Sequence, residues 1–239
     1  MIFPPDHAVH GLRMVAIDTE TTGRDPLTSR VVEIACVFWR DGSVVERKSW
    51  LINPGCPIPQ EAFEVHGIGD EQVKDAPPFS AIVPELFECL AGHVPVAYKR
   101  GIRSQDPDGR DRPDHGPAAI TLRPPSRKGV EWVDPLVWAR ELQKLEKSRA
   151  LGDVVQRLGI VLENAHRAAA DAEATLHVFA AFLADTRVPK AYGALIQEQR
   201  RLARRSKTSA AGAFARRART RLAPLSCDGG TRYATFKQP

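Results

Sequence analysis

The sequence predicts an α/β domain built on a mixed sheet flanked by helices, and three observations carry that expectation. Two apolar runs of buried-strand type, Met14–Asp18 and Val31–Trp39, stand early in the chain. Asp41-Gly42 then supplies a two-residue turn into a third extended stretch from Val44 to Ile52, a hairpin signature. Beyond it, helical and extended patterns alternate, as they do when helices cover a sheet.

Taken in order, Phe79, Ile82, Val83, Leu86, Phe87 and Leu90 fall at helical spacing and mark one apolar face. Val94–Tyr98 returns as a strand, and Glu131–Asp134 reads as another. Pro135 suits the first turn of a helix over Leu136–Leu145. Leu151, Val154, Val155 and Leu158 form a short helix ended by Gly159. Ala172, Leu176, Phe179, Ala180 and Leu183 line a final helix.

Composition narrows the class. The 239 residues are 43% hydrophobic and 26% charged, an ordinary globular balance. No apolar run approaches the roughly 18–20 residues of a membrane span. The start, Met1-Ile-Phe-Pro-Pro-Asp-His7, lacks the basic and apolar regions of a signal peptide. Cys36, Cys56, Cys89 and Cys227 show no Cys-x-x-Cys spacing, which argues against a disulfide framework and a structural zinc site. A cytoplasmic protein with no membrane partner is the expectation.

Charge is unevenly placed. Residues 186–239 hold 13 Lys and Arg against Glu198 and Asp228, while residues 1–185 hold 21 basic and 27 acidic residues, a net −6. The expected organisation is an N-terminal extension (1–11), a folded domain (12–185) and a basic, partly disordered tail (186–239). Such a tail is either a solvated, frayed terminus or an arm that touches phosphates.

Two carboxylate motifs stand where this fold can bring them together. Asp18 and Glu20 close the first strand in Asp18-Thr-Glu-Thr-Thr-Gly23. Residues i and i+2 of a strand share a face, so both can approach one cation. Two acids at a strand end are more often merely solvated. The second motif, His166-Arg-Ala-Ala-Ala-Asp171, opens the last helix, whose dipole favours the Asp171 charge. A lone His there would more often be structural, and its pairing with an acid raises the functional reading.

Together with Glu61-Ala-Phe-Glu-Val-His66-Gly-Ile68, these motifs resemble the DEDD exonuclease superfamily in its His-containing, DnaQ-like branch, which includes the proofreading epsilon subunit of bacterial DNA polymerase III. The resemblance runs from about Leu12 to Ala184. It implies a ribonuclease H-like sheet and stepwise 3′→5′ release of nucleoside monophosphates with two Mg²⁺ or Mn²⁺ ions. Hard cations take oxygen ligands, and two of them can activate water and stabilise charge on the attacking and leaving oxygens. On this reading Asp18, Glu20 and Asp171 hold the metals. His166 takes the proton from the attacking water, as an imidazole titrating near working pH can. Asp18, Thr19, Glu20, Glu61, His66 and Asp171 form the substrate-binding set. The implied partners are single-stranded or frayed DNA 3′ ends, with RNA as the alternative, and a DNA polymerase subunit.

One family feature is absent. The family carries a fourth carboxylate in an Asn-Ala-x-Phe-Asp segment directly after the strand ending here at Tyr98. The chain instead continues Lys99-Arg-Gly-Ile-Arg-Ser-Gln-Asp106, and Lys99–Val130 contains five prolines, four glycines, six arginines and no Phe, Trp or Tyr. A structureless stretch of this length is unusual inside a compact domain. We read it as translated out of frame. Lys99–Asp106 can be encoded AAA CGC GGC ATT CGA TCG CAA GAT, and deleting one A yields Asn-Ala-Ala-Phe-Asp-Arg-Lys, which restores the motif in place. The rival is a true insertion in which Asp106, Asp108, Asp111 or Asp114 serves as ligand. Besides exonuclease, two other functions stay open: a nucleic-acid-binding domain that has lost catalysis, and a structural subunit of a replicase.

Overall fold

The computed structural model describes residues 3–25, 28–98, 131–161 and 167–205. Four strands form one mixed sheet: β1 (Met14–Thr21), β2 (Val31–Arg40), β3 (Ser43–Leu51) and β4 (Val94–Val96), in the order β3-β2-β1-β4. β1 runs antiparallel to β2, β2 antiparallel to β3, and β4 parallel to β1. The β2–β3 turn is the expected one. Asp41 and Gly42 both have positive φ, at 50° and 84°, the geometry that matches the twist of the flanking strands. Glu131–Asp134, expected as a strand, contributes a single parallel bridge from Val133 to Val96.

The helices are α1 (Gln60–His66), α2 (Asp70–Val73), α3 (Phe79–Leu90), α4 (Pro135–Leu142), α5 (Leu151–Arg157) and α6 (Ala168–Leu183). A further helix, α7, occupies 192–205. Strand alternation gives the sheet two faces. On one, Val15, Ile17, Ile34, Cys36 and Phe38 pack against Ile82, Leu86 and Cys89 of α3. The α3 stripe is rotated from the sequence reading: Cys89 points inward, and Phe87 is half-exposed. The other face is covered by α6, whose run of alanines lets the helix lie close to β1 and β2. α4 and α5 back α6 from the far side, so Leu176, Val178 and Phe179 are all fully buried.

Local signals explain most element ends. The Asp134 carboxylate accepts from the Leu136 N–H at 2.9 Å, capping α4, with Pro135 at the first helical position. α4 stops at Leu142, short of the expected Leu145, which is fully exposed. There the Arg149 guanidinium donates to the Gln143 and Lys144 carbonyls and satisfies the helix end. Gly159, at φ 66°, ends α5 as expected.

The packing does not respect the expected boundary at 185/186. The compact unit runs from Met1 to Leu202, and Val188, Tyr192, Leu195, Ile196 and Leu202 are all core residues. Tyr192, Leu195, Ile196, Gln199 and Leu202 recur at helical spacing, a stripe the surrounding arginines hid. Buried Gln199 fastens α7 to the sheet edge, accepting from the Asp134 N–H and donating to the Trp132 carbonyl, both at 2.8 Å. The first residues pack there too. Val9 donates to the Lys190 carbonyl, Tyr192 to that of His7, and Gly193 to that of Pro5. Residues 206–239 of the tail, the 99–130 segment and His166 lie outside the described residues.

Candidate active site

β1 brings the first two acids to the α6 face of the sheet. Asp18 and Glu20 project to the same side, and Thr19 between them projects to the other. A register irregularity between Glu20 and Thr21 ends the regular pairing with β2 just past the acids. Asp171 lies on the first turn of α6. Carboxylate oxygens of Asp18, Glu20 and Asp171 all fall within 4.8 Å of one another, and each residue is partly exposed. Three of the four acidic or basic residues expected to do chemistry are thus gathered from segments about 150 residues apart. The fourth, His166, lies five residues before Asp171, outside the described residues.

Electrostatics make this cluster costly without a cation. Burial, with Asp171 and Glu33 nearby, pushes the Glu20 carboxyl up to about 7, against a partial offset from Arg167. Three close carboxylates cannot all ionise cheaply. A set of three carboxylates, one of them with its ionisation held back, offers the oxygen donors that a hard divalent cation takes, not the nitrogen and sulfur sets of structural zinc.

The structure adds a pair that the sequence reading passed over. Glu33 stands directly opposite Glu20 in the β1–β2 register and is only 2% exposed. Its Oε1 accepts from Arg167 Nη2 at 2.7 Å, and its Oε2 from Arg167 Nε and from the Ala168 N–H, both at 3.1 Å. Arg167 is the N-cap of α6, and its own side chain makes no cap bond. The signal was present in the sequence: an acid inside Val31-Val-Glu-Ile-Ala-Cys-Val-Phe-Trp39 must find a partner when the strand is buried.

Glu61 and His66 both sit on α1, yet they differ sharply. Glu61 is exposed. His66 is 5% exposed, its Nδ1 accepting from the Ile68 N–H at 3.1 Å. Gly67, at φ 70°, makes the left-handed turn that permits this bond. The His66 Nε2 is buried with no partner in hydrogen-bonding geometry among the described residues, although the Thr21 backbone is close enough to favour the charged ring. Burial dominates and lowers the His66 pKa, so the ring is neutral near pH 7.

Residues 15–106 match the exonuclease family RNase_T. The PolC-type DNA polymerase III of Thermotoga petrophila is 28% identical over 182 residues, an alignment taking in 74% of this chain and 12% of that polymerase. The chain therefore corresponds to a small part of that relative's length. Among solved structures, Exonuclease X in complex with 5′ overhanging duplex DNA superposes with a TM-score of 0.53 at 24% identity, covering 74% of this chain and 95% of the other. The nuclease domain of 3′hExo, a DEDDh family member bound to rAMP, superposes with a TM-score of 0.57 at 13% identity, covering 75% and 96%. These likenesses show a shared fold, the ribonuclease H-like mixed sheet. Among the described residues no helix is long and apolar enough to cross a membrane.

Proposed function

We propose, on the premise that this chain carries an exonuclease domain of the DEDD superfamily, that it removes nucleoside monophosphates stepwise from the 3′ ends of DNA in a metal-dependent reaction, as a polymerase III proofreader does. The observation that carries this reading is the convergence of Asp18, Glu20 and Asp171 within 4.8 Å. The match of residues 15–106 to the exonuclease family and the similarity to PolC-type polymerases support it.

Asp18, Glu20 and Asp171 would hold two divalent ions, Mg²⁺ or Mn²⁺. Bound there, such ions supply an activated water and neutralise charge on the scissile phosphate oxygens. The chain's own residues do the rest. His166, placed by sequence just ahead of α6, accepts the proton of the attacking water. Glu61, exposed on α1, reaches the terminal nucleotide. The buried His66 ring supports a role one step back, shaping the Ile68 turn and the backbone at Thr21, next to Glu20. Thr19 faces away from the acids, which favours a contact through its backbone.

The test uses single-stranded DNA labelled at its 5′ end, with Mg²⁺ or Mn²⁺ and the full chain. A ladder that shortens one nucleotide at a time, stopped by EDTA and by Asp18→Asn, is the expected result; a parallel RNA substrate separates the two polymers. One sequence observation favours a second reading, a binding domain that has lost catalysis: after Tyr98 the chain reads Lys99-Arg-Gly-Ile-Arg, where the family resemblance implies an Asn-Ala-x-Phe-Asp segment with the fourth carboxylate. Salt-sensitive DNA binding without hydrolysis would establish it. Sequencing the coding DNA across Tyr98–Trp132 bears on the same choice. We expect a surplus base near Lys99; a confirmed reading frame would leave the true insertion as the account of this segment.

A further inference from the structure

We infer that Glu33 and Arg167 are positioning residues that set where Asp171 stands relative to Asp18 and Glu20, an inference that rests on the metal-dependent reading above. The argument starts from a helix end. The first N–H groups of any helix lack intrahelical partners, and most helices satisfy one with the N-cap side chain. α6 does not: Arg167 caps nothing with its own side chain. Its first N–H, at Ala168, is taken by Glu33, a carboxylate on β2, 135 residues earlier in the sequence. The same carboxylate grips Arg167 through both Nε and Nη2. Every oxygen of Glu33 is used, and its burial leaves it no solvent alternative.

This geometry locks the start of α6 in three respects. The bond to Ala168 sets the helix height along the sheet. The two-point grip on Arg167 sets its rotation, because a planar guanidinium meets a planar carboxylate in one orientation. The Arg167 carbonyl in turn accepts from the Asp171 N–H at 3.1 Å, so the residue held by Glu33 is bonded directly to the backbone of the proposed ligand. On the other side, Glu33 is the register partner of Glu20. One side chain thus ties the strand that pairs with Glu20 to the helical turn that carries Asp171. Neither Glu33 nor Arg167 belongs to the three-carboxylate cluster. Their contribution is distance and angle, to which ion affinity is sensitive.

The experiment measures Mn²⁺ binding by titration calorimetry to the full chain, wild type and variants, alongside amide hydrogen exchange at residues 168–172 in EDTA. Glu33→Gln keeps the side chain's shape and one acceptor for Ala168 but releases Arg167; Arg167→Met releases Glu33. Each should weaken Mn²⁺ binding by about tenfold and speed exchange in the first turn of α6, while Arg167→Lys recovers part of the loss. Arg47→Met is the control, since it breaks the exposed pair with Glu173 further along the same helix. It should leave Mn²⁺ affinity unchanged. Folded Glu33→Gln and Arg167→Met proteins that bind Mn²⁺ within twofold of wild type would overturn the inference. So would an equal loss in Arg47→Met, which would mean that any loosening of α6 suffices. A wild-type chain that binds no Mn²⁺ would instead sink the metal-dependent reading itself.

Discussion

Exchange Glu20 for glutamine in the metal-free protein, and its stability at pH 8 should rise, although a proposed ligand has been removed. The folded chain holds the Glu20 proton up to about 7, against an ordinary value of 4.5. That difference corresponds to about 3 kcal/mol at full strength, and to about 2 kcal/mol once the solvent reaching this partly exposed group is allowed for. The sign follows from proton counting. Between pH 4.5 and 7 the unfolded chain has released this proton and the folded chain has not, so stability falls as pH rises through that window and levels off above it. Glutamine carries no such proton. The stability difference between Glu20→Gln and wild type should therefore be near zero at pH 4.5 and grow to about 2 kcal/mol by pH 8, or about 4–8 °C in Tm for a domain of this size. Thermal unfolding in EDTA, followed by circular dichroism across pH 4.5–8, measures it. Saturating Mn²⁺ should reverse the order, because the ion stabilises the wild type more strongly than the variant. Parallel curves for the two proteins in EDTA would show that the carboxylate cluster stores no repulsion, and the argument for a cation there would lose its electrostatic basis.

Other outcomes test the chemistry and the packing separately. Asp171→Asn should leave the fold intact and lower mononucleotide release by at least about a hundredfold, measured on the labelled substrate described above. Tyr192→Ala should cost about 3–5 kcal/mol in urea unfolding, since the ring is 1% exposed; a loss below 1 kcal/mol would return residues beyond 185 to the status of a tail. Gly193→Ala places a methyl 2.8 Å from the Pro5 Cβ and 3.0 Å from the Pro5 carbonyl oxygen. It should cost about 1–3 kcal/mol and expose the first residues to limited proteolysis.

Most of the architecture was legible because it rests on local rules. Alternation and apolar runs mark β1 and β2, Asp41-Gly42 marks their hairpin partner, and Gly159 and Pro135 mark helix ends, each through the dihedral angles those residues favour. Even the pairing of Asp18 with Glu20 follows from the two-residue period of a strand. Where several forces compete over one residue, the pattern misled. Arginine density in 186–205 concealed the Tyr192–Leu202 stripe, and the periodicity of α3 fitted a face that includes Phe87, which the structure leaves half-exposed. What no local rule contains is which distant groups meet. Asp171 approaches Asp18 and Glu20 only because an alanine-rich helix packs closely on β1. The raised Glu20 pKa exists only once burial and those neighbours act together. Glu33 reads in the sequence as an anomaly in a strand, and becomes a clasp on α6 only after folding removes water and leaves Arg167 and the Ala168 N–H as its partners. Backbone preference is a property of neighbours along the chain, whereas charge pairing and desolvation are properties of neighbours in space, and the site is made of the latter.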